Sequence, residues 1–248
     1  MKPDLLHDAF TYFGLRTTVQ MIKYQSQIKE ILLEVYHILV TSYGPQHWWP
    51  GESAFEVMVG AILTQSVSWT NVEKAISNLK AKSILSPELL RRTPIVELAD
   101  TIRPCGYYNA KARKLKSLAS WLGDYCQDDL SLLSQQAKSM LREQLLKVNG
   151  IGQETADSIL LYACNKPSFV IDAYTRRIID RLEILDADYT YDSYQALFSD
   201  NLPPDVELFN EYHALMVRHG KDTCRKVPLC IQCCLNTICS YTNENKQS

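Results

Sequence analysis

Five of the eight cysteines of this 248-residue chain lie between Cys224 and Cys239, while Cys105, Cys126 and Cys164 are scattered singly. That crowding constrains the fold more than any other feature. Cys224, Cys230, Cys233 and Cys239 follow the spacing C-x5-C-x2-C-x5-C, which gathers four thiolates around one centre and suits either zinc or a [4Fe-4S] cluster. Cys234 is a fifth thiol that can substitute for Cys233, although the spacing favours Cys233. A disulfide framework is a weak account of such a tail in a reducing compartment. The first twenty residues mix Lys2, Asp4, Asp8 and Arg16 with apolar positions and do not read as a secretory signal. No stretch has the length and apolarity of a membrane span, so a cytoplasmic protein without membrane contact is expected.

The body of the chain is patterned for helices. Ile28, Ile31, Leu32, Val35, Tyr36 and Leu39 recur at helical spacing, and strand-like alternation is scarce. Turn-forming clusters fall at 43–52, Ser86-Pro87, 103–109, 149–152, 165–168 and 201–204, delimiting roughly ten helices. An all-α protein is therefore expected. With 46% hydrophobic and 22% charged residues it has ordinary globular composition, and its length suits two modest lobes.

A net charge of −2 does not mark a nucleic-acid binder, but the basic residues are clustered. Lys111, Arg113, Lys114 and Lys116 form one group, Arg176, Arg177 and Arg181 a second, and Lys221, Arg225 and Lys226 a third. Each group reads either as a local phosphate contact or as a solvated helix face. Residues 145–157, LLKVNGIGQETAD, read as two helices joined by Gly150-Ile151-Gly152. Glycines permit a tight turn and close approach, and the amide-rich start of the second helix can hold a phosphate. Twenty residues past Gly152 stands Asp172, in Val170-Ile171-Asp172-Ala173-Tyr174, just before another helical stretch. An N-cap role is the plain reading of such an aspartate. An ionised carboxylate there would also stabilise the charge that develops at a sugar C1′ when a glycosidic bond breaks.

The hairpin GIG, the downstream VID and the four-cysteine loop, in that order, resemble the endonuclease III family of helix-hairpin-helix DNA glycosylases over about residues 25–242. The resemblance implies a two-lobed helical fold. One lobe, residues 24–54 plus 167–248, would carry the cysteine loop with a [4Fe-4S] cluster; the other, 55–166, would be a six-helix barrel ending in the hairpin. Residues 1–23 would be an extension of unassigned role. It further implies a monomeric base-excision enzyme, nucleoid-associated, that binds double-stranded DNA at a damaged base. Asp172 would be its catalytic residue and Gln65, Tyr107, Lys111, Gly150, Ile151 and Gly152 its DNA contacts, with a monovalent cation a further expectation at the hairpin.

Family members that also cleave the backbone use a lysine two positions beyond the second hairpin glycine. Glu154 stands there, and a carboxylate cannot form an imine, so a monofunctional glycosylase is expected. Thr64-Gln65-Ser66 resembles the loop whose glutamine fills the space left by the flipped nucleotide, and Gly106-Tyr107-Tyr108 the loop that wedges the opposite strand. Trp48 and Trp49 before Pro50, together with Trp69, resemble the 3-methyladenine DNA glycosylase III branch. An aromatic base pocket of Trp48, Trp49, Trp69 and Glu154 suits a cationic alkylated purine, and one of the two adjacent tryptophans is expected to be structural. The competing readings are a glycosylase for oxidised or mismatched pyrimidines and a non-catalytic binder of damaged DNA.

Overall fold

The computed structural model describes residues 26–185 and 188–245; the expected extension at 1–23 lies outside them. Every regular element among the described residues is helical, in line with the sequence pattern. Among them no helix is long and apolar enough to cross a membrane.

One compact unit comprises residues 46–172 and 204–214. It opens with α2 (Ala54–Leu63), whose residues from Phe55 to Leu63 are all buried. Ser53 starts this helix by accepting from the Glu56 amide at 3.2 Å. Glu56, itself buried, is neutralised by Lys80 at 2.9 Å. Around it stand α3 (Trp69–Ala81), α4 (Pro87–Arg92), α5 (Ile95–Thr101) and the 19-residue α6 (Tyr108–Cys126). Leu115, Leu118 and Leu122 of α6 join Met58, Ile62, Leu79 and Leu98 in a single apolar core. The short α7 (Ser131–Gln135) leads into the hairpin helices α8 (Lys138–Leu146) and α9 (Gln153–Ser158), and α9 runs on as one π-helical turn, Ile159–Ala163.

The hairpin is closed by two devices. Gly150 sits at φ +91°, in the region that side chains avoid, and a Cβ there would lie 2.2 Å from Lys114 Cγ. Arg142 of α8 grips Asp157 of α9 with two bonds of 2.9 Å, and Ser168 Oγ donates to the same carboxylate at 2.6 Å. Asp157 is wholly buried, so this fork neutralises a charge with no access to water.

The second unit takes in the described parts of 1–45, 173–203 and 215–248. It contains a helix over 26–43 (α1), then α10 (Ala173–Leu182), α11 (Tyr191–Ser199), the C-terminal part of α12 (Val206–Asp222) and α13 (Ser240–Asn245). On α1 the buried stripe is Ile28, Leu32, Val35 and Leu39; Ile31 faces outward, 39% exposed. Gly220 lets α12 lie against Tyr174, since a Cβ would come within 2.6 Å of that side chain's Cβ.

Candidate active site

The residues the sequence singled out for catalysis, wedging and base binding all lie in the hairpin-bearing unit. Asp172 immediately precedes α10, its side chain 14% exposed, with the apolar run Phe169, Val170 and Ile171 buried before it. Its Oδ2 stands 3.8 Å from Nε2 of His213, a residue of α12 that sequence reading passed over. The other ring nitrogen, Nδ1, is 2.5 Å from the hydroxyl of Tyr162 in the π-helical turn. His213 is buried, and burial holds its pKa below the ordinary histidine value, with Asp172 pulling the other way.

That shift links folding to pH. A base whose folded pKa is depressed takes up its proton more readily when unfolded, so stability is fully present above the unfolded histidine value and declines below it. Urea midpoints are accordingly expected to fall as pH drops below about 6.5, and to fall less in His213→Gln.

Aromatic rings crowd against this pair. Trp48 lies 6.2 Å from the His213 ring, and Trp49 lies 5.0 Å from Tyr162 and 5.1 Å, edge-on, from Trp69. Trp49 rests on α2 at Gly60, where a Cβ would come 3.2 Å from the indole. Trp69 is partly exposed and ties its indole N–H to Glu73 at 2.8 Å. Glu154 is exposed in the first turn of α9, a position that suits a carboxylate at a helix start.

The hairpin and the two loops expected to act as wedges are physically linked. Gln65 donates to the Gly150 carbonyl at 3.1 Å and to Thr155 Oγ1 at 3.0 Å, and accepts from Lys114. In this state it braces the hairpin. Gly152 is exposed with nothing within 4 Å of an added Cβ, so the open space before the start of α9 is free for an outside backbone. Ile151 is buried, and its amide closes the turn by donating to the Val148 carbonyl at 3.1 Å. Tyr107 is 76% exposed and held at φ +45° as the residue before α6, so the turn projects the ring into solvent.

Lys111 requires a correction. Expected at the DNA, it is 2% exposed, and its ammonium donates to the carbonyls of Leu63 at 2.9 Å and Cys105 at 2.7 Å. It therefore staples the end of α2 to the loop before Tyr107, and burial lowers its pKa. Lys116 is likewise spent on the carbonyls of Arg91 and Thr93. Lys111→Met strips two buried carbonyls of their donor and is expected to cost about 2–4 kcal/mol, read as a lowered thermal midpoint.

In the other unit the arginines of α10 organise the cysteine loop. Arg177 donates to the carbonyls of Cys224 and Gly220, both at 2.8 Å. Arg181 reaches the carbonyls of Arg225 and Lys226 and lies 3.1 Å from Cys224 Sγ. Cys224 and Cys239 are buried, and burial pushes the Cys233 thiol up to about 12, with Cys234, Cys224 and Cys239 near enough to add to the effect. Among the described residues no three or more His, Cys, Asp or Glu side chains are arranged to hold a metal ion. The donor chemistry nonetheless fits a thiolate-bound centre, since several thiols close enough to oppose one another's ionisation gain most from a shared cation.

Comparison with known proteins agrees with this geometry. Residues 59–204 match the HhH-GPD superfamily of base excision DNA repair proteins. A protein of Methanocaldococcus jannaschii, named by inference as a DNA repair glycosylase, is 44% identical over 211 residues, spanning 85% of this chain and 96% of its own. A non-covalent endonuclease III–DNA complex shares the fold with a TM-score of 0.76 at 22% identity, covering 89% of this chain and 99% of that one. The 3-methyladenine DNA glycosylase of H. pylori, bound to 1,N6-ethenoadenine, is 28% identical with a TM-score of 0.64, covering 79% and 97%. With the helix-hairpin-helix in place and its downstream aspartate beside an aromatic cluster, the chain belongs to the HhH-GPD superfamily of base excision repair DNA glycosylases.

Proposed function

We propose that this glycosylase is monofunctional and hydrolyses the N-glycosidic bond of an alkylated purine such as 3-methyladenine, flipped from double-stranded DNA. The observation that carries the reading is the Asp172 carboxylate, partly exposed and close to His213, whose ring meets those of Tyr162 and Trp48. An alkylated purine is cationic, so aromatic faces attract it, and its weakened bond needs little acid assistance. Electrostatic support of the sugar cation by one carboxylate is then the main requirement. The likeness to the H. pylori enzyme points the same way.

The amide-rich start of α9, from Gly152 onward, would grip a phosphate of the lesion strand. Tyr107 would enter the duplex as the wedge. Gln65 would fill the vacated space only after releasing Gly150, Thr155 and Lys114, which couples hairpin engagement to flipping. The Gly150 carbonyl is partly engaged by Gln65, and a monovalent cation at the hairpin forms no part of this proposal. Cys224, Cys230, Cys233 and Cys239 would hold a [4Fe-4S] cluster, which when bound ties four points of the loop to one centre.

The test is base release from duplexes carrying alkylated, oxidised or deaminated bases, followed by borohydride treatment on abasic DNA. Release of 3-methyladenine with no borohydride-trapped adduct is expected, because Glu154 offers no amine. Preferential release of an oxidised or mismatched pyrimidine would overturn the substrate, and a trapped adduct would overturn monofunctionality.

A further inference from the structure

Two buried polar atoms lie beside the candidate catalytic carboxylate's ring cluster. Nε2 of His213 and the indole N–H of Trp48 are each shielded from solvent with no hydrogen-bond partner. Both belong to the same ring cluster, their centroids 6.2 Å apart. A buried polar atom without a partner costs about 1–3 kcal/mol, so its retention beside a carboxylate calls for a cause.

We propose that Tyr162 and His213 form a positioning pair for Asp172, in which the tyrosine hydroxyl fixes the imidazole as its Nε2–H tautomer and that N–H orients the carboxylate toward the sugar. The inference deepens the proposed reaction and rests on that reading. Its geometry is that of a relay, with Tyr162 Oη 2.5 Å from Nδ1 and Nε2 3.8 Å from Asp172 Oδ2. The second separation is longer than a hydrogen bond and closes with a shift of about 1 Å, as catalytic contacts commonly do when substrate binds.

The roles follow from the charges that face the pair. Burial opposes ionisation of Tyr162, and Asp172 and Glu211 add to it, so the hydroxyl keeps its proton to donate. Glu211 is itself occupied by the Gln46 amide at 2.6 Å. Burial keeps the imidazole neutral against the pull of Asp172. A neutral ring that accepts at Nδ1 must carry its proton on Nε2, the nitrogen turned toward Asp172. The π-helical turn at Ile159–Ala163 carries Tyr162, and such turns are frequent at functional sites.

Nitrogen NMR of the protein labelled in its histidine rings tests the assignment without any substrate. At neutral pH the His213 ring is expected as the neutral Nε2–H tautomer, with Tyr162→Phe redistributing the proton and Asp172→Asn shifting the Nε2 resonance. An Nδ1–H tautomer, a cationic ring, or indifference to Tyr162→Phe overturns the proposal. The functional arm is single-turnover release of 3-methyladenine from methylated duplex DNA as a function of pH. His213→Leu is expected to lose roughly 10- to 100-fold, the worth of one hydrogen bond to a charged group, with its acidic limb moved to higher pH. His213→Gln, which keeps a donor, should recover much of the loss. A uniform loss with an unmoved limb would reduce His213 to a packing residue and overturn the inference. If His213→Leu does not fold, Tyr162→Phe carries this arm: an unchanged rate and profile overturn the inference. Failure of the underlying reading is separable, since wild-type protein inert on methylated DNA leaves the NMR outcome decisive for the pair.

Discussion

Asp172→Asn is expected to lower single-turnover base release by about 10³-fold while leaving the affinity for DNA carrying an abasic-site analogue undiminished. The substitution preserves shape and removes only the charge. That charge is what the transition state needs, because cleavage of the glycosidic bond leaves positive charge on the sugar in a site screened by aromatic rings. In such a setting a carboxylate interacts far more strongly than in water. Ground-state binding runs the other way, since an anion close to a phosphate backbone is repulsive and its removal costs nothing in affinity. A catalytic role therefore predicts a split between rate and binding that no packing defect imitates. Asp172 is adjacent to buried Ile171, so a misfolded variant would lose both together. Release at the wild-type rate would end the assignment of Asp172, whatever base is used.

The parts of this site that were legible in the sequence are those dictated by backbone chemistry. Gly150 is required by a positive φ and by the side chain of Lys114, whereas Gly152 meets nothing that would exclude a Cβ, so of the two glycines only the first is dictated by the fold itself. The break at Ser86-Pro87 reappears as the start of α4, with Ser86 Oγ accepting from the Leu89 amide. What escaped depends on the direction of long side chains. Lys111 and Lys116 lie in a basic run that reads as a phosphate contact, yet packing of α6 turns both inward onto carbonyls. Arg177 and Arg181 likewise serve the cysteine loop. His213 and Tyr162 are separated by 51 residues, and nothing local to either marks the partnership. The short α5 has no side-chain cap at its start that would distinguish it from a loop.

Arg142→Met is expected to destabilise the protein by about 3–5 kcal/mol, because it strands the Asp157 carboxylate without its cation. The ordinary worth of a surface ion pair is no guide here. Asp157 is 0% exposed, and of its partners Ser168 contributes a single neutral hydrogen bond. For a chain of this length each kcal/mol corresponds to about 2–4 °C in thermal midpoint, so a drop of roughly 6–20 °C is anticipated. The double variant Arg142→Met, Asp157→Leu removes both charges and should recover a large part of the loss, since an apolar pair of similar volume is frequently as stable as the ion pair it replaces. The functional consequence follows from the location. Arg142 is on α8 and Asp157 on α9, so the fork sets the angle between the two helices whose junction presents the start of α9 at Gly152. A hairpin without that fork is expected to bind duplex DNA more weakly at temperatures where the single variant remains folded. The double variant separates charge from geometry: stability restored with binding still impaired assigns the fork to hairpin geometry, and recovery of both assigns it to charge compensation alone. An Arg142→Met protein with an unchanged midpoint would show that Asp157 is not held as a buried anion at all.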